Sequence, residues 1–203
     1  MAMELRYLRQ RKSVLDFERT RTQWDIYISA YNDSQRVQRV FDKVCASRKY
    51  WVMIPEYNYS LEDYPLLGDV IPCSSGASES EVVSEIAKVV GSDQLRSSKV
   101  CIDITGFMRP QIIYLIRYLS AEAVTSISLL YTEPAHYALK ENTRFSDEAV
   151  EAVRQVLGFE GIHDDDMSND VLIVGVGYDH ALVSHVIDDR DSAKLIRLLS
   201  LPS

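Results

Sequence analysis

An α/β fold, with a mostly parallel sheet and helices on both faces, is predicted by two observations. Short apolar runs of strand length recur along the 203-residue chain. The segments between them carry apolar residues at helical spacing, with Gly, Pro, Asn or Asp at the joins. Strand followed by helix followed by strand brings each strand-to-helix loop to one edge of a parallel sheet.

The elements follow in order. WDIYISA, residues 24–30, alternates in strand fashion, and Asn32-Asp33-Ser34 offers N-cap chemistry ahead of Val37, Val40, Phe41 and Val44. YWVMI, 50–54, reads as a second strand and PEYNYSLEDYPLLGD, 55–69, as an irregular loop rich in Pro and Tyr. DVIPC, 69–73, reads as a short strand, and SSGASES leads into a capped helix through Val82, Val83, Ile86, Val89 and Val90. KVCIDIT reads as a strand and PQIIYLIRYLSAE as its helix, opened by a proline that costs no intrahelical bond in the first turn. SISLLYT, 126–132, is another strand. SDEAVEAVRQVL reads as a helix capped by Ser146, with a strand through VRQVLGF as the alternative. VLIVGVG, 171–177, reads as a strand entering the helix YDHALVSHVIDD, and KLIRLLS, 194–200, as a last strand. The whole is a Rossmann-like three-layer sandwich, expected as one domain over 24–203 behind a basic leading segment, 1–23. The ending SLPS follows a strand with no covering helix, which leaves a longer natural protein as the alternative to a domain ending there.

Composition narrows the functional classes. A net charge of −8 argues against general nucleic-acid binding. Residues 1–23 nevertheless hold six basic residues against three acidic ones, which reads first as a solvated leading helix and alternatively as an arm for a protein partner or a second copy. No run of about 18 apolar residues is present for a membrane span, and the charged start lacks a signal-peptide core, so a cytoplasmic protein is expected. Cys45, Cys73 and Cys101 have no ligand spacing and are expected to be reduced.

The strand-end residues carry the chemistry. The first strand brings Asn32, Asp33, Ser34 and Arg36, and the second brings Glu56 and Tyr57. The strand at 100–105 brings Asp103, Thr105, Gly106 and Arg109; the next brings Thr132 and Glu133. The turn GVGYDH adds Gly175, Gly177 and Asp179. In open α/β sheets such an edge binds ligands, with arginines and helix N-termini holding an anion and carboxylates holding a ribose or polarising a water. An arginine near a helix start opposes the helix dipole unless an anion joins it, and Asp103 is one candidate anion. GVGYDHA is half of a G-x-G-x-x-G fingerprint without the third glycine, so its glycines are read as turn residues. His163 with Asp164, Asp165 and Asp166 is an acidic loop facing solvent, and His180 and His185 lie five apart, off zinc spacing, so no metal is assigned. His136 reads as a surface loop residue.

WDIYISAYNDSQRVQRVFDKV, 24–44, resembles the opening strand and helix of a TIR domain, which implies NAD cleavage as an alternative activity. MIPEYNYSLEDYP echoes a later TIR segment. It comes one strand early and lacks the Trp-Cys pair, so Glu56 and Glu62 receive no catalytic assignment. The series DITGFMRP, LLYTEPAHY, RFSD, LGFEG and VGVGYDH is similar to a group of bacterial Rossmann-like proteins of phage-defence neighbourhoods. That resemblance implies a nucleotide-sensing or effector module working with another component, and it supplies no activity.

Three functions are carried forward. The leading one is binding of a phosphate-bearing small molecule, a nucleotide, by Arg36, Asn32, Asp33, Thr105, Gly106, Arg109, Gly175, Gly177 and Asp179, with no cofactor assigned. The second is hydrolysis of a nucleotide or NAD glycosidic bond, with Asp103 or Glu133 as the catalytic carboxylate. The third is a non-catalytic interaction subunit docking through residues 1–23.

Overall fold

The structure is a computed structural model that describes Leu15 and residues 22–133, 153–161, 166–176 and 180–199. They fall into two compact units, one ending at Thr132 and the other beginning at Glu133, and each is taken by itself.

The first unit is built on five strands: β1 (Trp24–Ala30), β2 (Ala46–Met53), β3 (Asp69–Pro72), β4 (Val100–Asp103) and β5 (Ile127–Leu130). Their order is β3-β2-β1-β4-β5 and every pairing is parallel. This is the order of the first five strands of a Rossmann sheet, and the direction of winding reverses between β1 and β4. The expected α/β class with a mostly parallel sheet is therefore what the chain adopts.

Among the described residues four α-helices accompany these strands: α1 (Gln35–Lys43), α2 (Glu79–Val90), α3 (Ser92–Ser97) and α4 (Arg109–Ala121). Strand side chains alternate between two apolar clusters, as the two-residue period of a strand requires. Ile26, Ile28, Val52, Val100 and Ile102 join Val82, Ile86, Leu95, Leu115 and Leu119 of α2, α3 and α4. Tyr27, Trp51 and Cys101 join Val37, Val40 and Phe41 of α1, where Phe41 and Trp51 stack with ring centroids 3.7 Å apart. Leu15 packs at the margin of this second cluster.

Several boundaries differ from expectation. β2 starts at Ala46 rather than Tyr50, because 46–49 pair with β1 while β3 joins only from Tyr50. With one neighbour instead of two, Ser47 and Arg48 stay exposed, and the stretch lacks the apolar signature of a buried strand. The 55–69 loop contains two single-turn 3₁₀ helices, at Pro55–Tyr57 and Leu61–Asp63. Short α3 has no counterpart in the sequence reading.

In the second unit β6 (Val171–Val176) and β7 (Lys194–Leu199) pair in parallel across α5 (His180–Asp188). The helix expected over 146–157 is not formed in its final residues, 153–157, and no strand runs through 153–159. A turn closes that stretch instead: the Phe159 amide donates to the Val156 carbonyl at 3.0 Å, and Gly158 sits at φ +77°. The earlier part of that helix and most of residues 1–23 lie outside the described residues. Among the described residues no helix is long and apolar enough to cross a membrane.

Candidate functional site at the β1/β4 switch point

The carboxyl ends of β1 and β4 lie side by side, with Ser29 opposite Asp103. The loop after β4 then passes so close to β1 that a Cβ on Gly106 would stand 2.5 Å from the Ala30 carbonyl oxygen. Gly106 is thus required by the meeting of two backbones within the protein. The expected role, close approach to a ligand, is not needed to explain it.

Three loops are knitted together here. The Tyr57 hydroxyl, from the segment after β2, donates to the Gly106 carbonyl at 2.9 Å and lies 3.4 Å from Asn32 Nδ2, which donates to it. Asn32 Oδ1 accepts the Ser34 amide at 3.0 Å, forming the turn that starts α1. Ser34 occupies the N-cap position without a capping side-chain bond, so Asn32 performs the local task assigned to the whole Asn-Asp-Ser run. The Asp33 amide donates to the Tyr59 hydroxyl at 2.9 Å, leaving the Asp33 side chain exposed.

Asp103 is completely buried. Its Oδ1 accepts the Thr105 amide at 2.9 Å and its Oδ2 accepts the Tyr27 hydroxyl at 3.0 Å. Burial first, then the Asp103 charge, pushes the Tyr27 phenol far above its ordinary range, so it remains a donor. A carboxyl group with no exposure and both oxygens bonded anchors the β4 turn and presents nothing to a water or a substrate. Among the described residues the partners of Asp103 are Tyr27 and the Thr105 amide, so the pairing with Arg109 that the sequence offered is not formed. Thr105 is similarly engaged: its Oγ1 accepts the Thr132 amide at 3.0 Å, and the Thr132 carbonyl accepts Arg36 Nη1 at 3.1 Å.

The helices that flank the switch point share an electrostatic feature. α1 and α4 have no acidic residue in the first turn, whereas α2 opens with Glu79 and Glu81 and α3 with Asp93. Arg36 and Arg109 stand in those acid-free first turns. Arg109 is exposed and has no hydrogen bond or ion pair among the described residues. Two positive helix ends, each bearing a cation, produce a field that favours an anion outside the β1/β4 crevice.

A carboxylate without an assigned role in the sequence reading is held at this edge. Gln111, only 2% exposed, accepts the Met108 amide on Oε1 at 3.1 Å. Its Nε2 donates to Glu56 Oε1 and Oε2 at 2.8 and 3.0 Å. Glu56 itself is exposed. Glu56 stands at the end of β2, as the sequence placed it; the signal that its position is fixed is the glutamine third in a proline-opened helix, and the two are 55 residues apart.

The five-stranded sheet therefore gathers Asn32, Asp33, Arg36, Thr105, Gly106 and Arg109 at the ends of β1 and β4. Glu133 is exposed directly after Thr132. Gly175 lies within β6 of the second unit, opposite Leu198, with open space where a Cβ would stand, so the turn expected there is not at Gly175. Gly177, Asp179, His136 and His163 lie outside the described residues. Comparison with protein-family models, curated proteins and solved structures gives no match.

Proposed function

We propose that the first unit binds a phosphate-bearing small molecule, a nucleotide, in the crevice outside β1 and β4. The observation that carries this reading is the pair of helices flanking the switch point, α1 and α4, which lack first-turn acids and carry Arg36 and Arg109. Arg109, exposed and unpaired among the described residues, is the primary phosphate ligand; Arg36, with one Nη already on the Thr132 carbonyl, supplies its remaining donors. The resemblance to proteins of phage-defence neighbourhoods gives such binding the role of a cytoplasmic sensor or effector module in a bacterial defence system.

The burial of Asp103 favours binding over hydrolysis, since this catalytic candidate has both oxygens bonded and no exposure. The test is a thermal-shift screen against nucleotides, NAD and cyclic oligonucleotides, with chromatography of each mixture. Stabilisation by one ligand, removed by Arg109→Ala and unaccompanied by product, is the expected result. A product peak that survives Arg109→Ala would replace this reading with an enzymatic one, and silence across the panel would end it.

A further inference from the structure

We infer that Thr132, where the first unit ends, is coupled to the proposed phosphate site. The side chains that hold its backbone, Thr105 and Arg36, are those offered to the ligand, so an occupied site pins the end of the unit. This deepens the proposed function by naming its regulation, and rests on that reading for the position of the phosphate.

The first support is the way Thr132 is held. β4 and β5 pair as far as Asp103 and Leu130, and the Ile104 amide still reaches the Leu130 carbonyl at 2.9 Å. Beyond that point side chains replace strand pairing. The Thr132 amide donates to Thr105 Oγ1 at 3.0 Å, and its carbonyl accepts Arg36 Nη1 at 3.1 Å. Tyr131 and Glu133, on either side, are exposed, whereas Thr132 is half-buried. Among the described residues these two bonds are what keeps its backbone at the sheet.

The second support is where the two side chains stand. Arg36 follows β1 and Thr132 follows β5, and β4 lies between those strands in the sheet. The Arg36–Thr132 bond therefore reaches across the end of β4, beside the crevice. Thr105 stands at that same end, its amide fixed by Asp103 Oδ1 at 2.9 Å. A ligand held at the switch point meets both side chains.

The third support is the donors left over, and they set the sign of the coupling. A threonine hydroxyl that accepts one bond still has its own O–H to give, and that of Thr105 has no partner among the described residues. A phosphate oxygen that accepts it polarises the hydroxyl and strengthens its hold on the Thr132 amide. The guanidinium presents its donors in a rigid fork, so an anion that fixes the Arg36 fork also fixes its bond to the Thr132 carbonyl. Linkage is reciprocal: whatever phosphate adds to the anchoring of Thr132, the anchored residue adds to phosphate affinity.

The experiment is residue-resolved amide hydrogen exchange on the full chain, with ATP, GTP, NAD, cyclic di-AMP and inorganic pyrophosphate as probes and calorimetry to follow their binding. At saturation with a probe that binds, the Thr132 amide should exchange about tenfold more slowly, the scale of coupling between sites. The Gly91 amide, bonded to the Ala87 carbonyl at the end of α2, should not change. Thr105→Val should remove the slowing and weaken the probe, and Thr105→Ser, which keeps the hydroxyl, should restore both. Without any probe, Arg36→Ala and Thr105→Val should each speed Thr132 exchange. Binding that leaves this exchange unchanged, or speeds it by drawing Arg36 off the carbonyl, would overturn the coupling and keep the phosphate reading. Probe-free exchange indifferent to both variants would also overturn the coupling, whatever binds. Binding by none of the probes would overturn the phosphate reading and the coupling with it.

Discussion

The Tyr27 hydroxyl donates a 3.0 Å hydrogen bond to Asp103 Oδ2 between adjacent parallel strands, with both residues completely buried. Removing the donor leaves a buried acceptor short of one partner, and bonds to charged groups are worth about 1.5–3 kcal/mol. Tyr27→Phe should lower unfolding free energy by about that amount in urea titrations. Asp103→Asn should cost less, because its Oδ1 retains the Thr105 amide and its new amide can donate to the Tyr27 oxygen. If Asp103 were exposed and reactive, the ranking would reverse and activity, not stability, would carry the loss.

Gly106 tests the meeting of the β1 and β4 ends. A methyl group there would stand 2.5 Å from the Ala30 oxygen and 3.3 Å from its carbonyl carbon, both backbone atoms that cannot rotate away. Gly106→Ala should destabilise the protein by about 1–3 kcal/mol, the usual scale of overpacking. It should also reduce nucleotide affinity by displacing the Tyr57 and Asn32 bonds. An unchanged melting temperature would mean the two loops are farther apart than described.

The start of α2 offers a check on local structure alone. Ser78 caps the helix: its Oγ accepts the Glu81 amide at 3.4 Å, and the Ser78 amide donates to Glu81 Oε2 at 2.8 Å. Ser78→Ala should cost about 1 kcal/mol and leave ligand binding untouched. Loss of binding without loss of stability would show that this cap communicates with the site.

That contrast explains what the sequence disclosed. The Ser78 cap, the strand at WDIYISA and the proline-opened α4 are local patterns, set by residues within a few positions of one another, and they were legible. Parallel pairing followed from the alternation of strands and helices. The burial of Asp103 was not legible, because Ile102 and Ile104 flank it on either reading and its partner Tyr27 is 76 residues away. The Glu56–Gln111 contact was hidden for the same reason, and because Glu56 lies in a stretch whose prolines and tyrosines read only as loop. Arg109 stood out from sequence through its conflict with the helix dipole, a property that needs no tertiary partner.

The cysteines predict how stability depends on pH. Burial first, then Asp103, pushes the Cys101 thiol up to about 12, and Cys73 is raised to the same level. In the unfolded chain both thiols ionise near 8.5. Above that pH the unfolded state releases protons that the folded state retains, so stability is full below about 8.5 and falls as pH rises toward 12. The slope should approach about 1.4 kcal/mol per pH unit for each thiol. Tyr27 adds a further decline above about pH 10, where an unfolded tyrosine ionises and the buried one does not. Urea midpoints at pH 7, 8.5 and 9.5 should show the loss, and Cys101→Ala should flatten it relative to the wild type. At pH 8 a thiol reagent should modify exposed Cys45 quickly and the buried Cys101 only on unfolding. Equal labelling of the two, or a slope indifferent to Cys101→Ala, would place that thiol in solvent and dissolve the packed interface between Tyr27, Cys101 and α1.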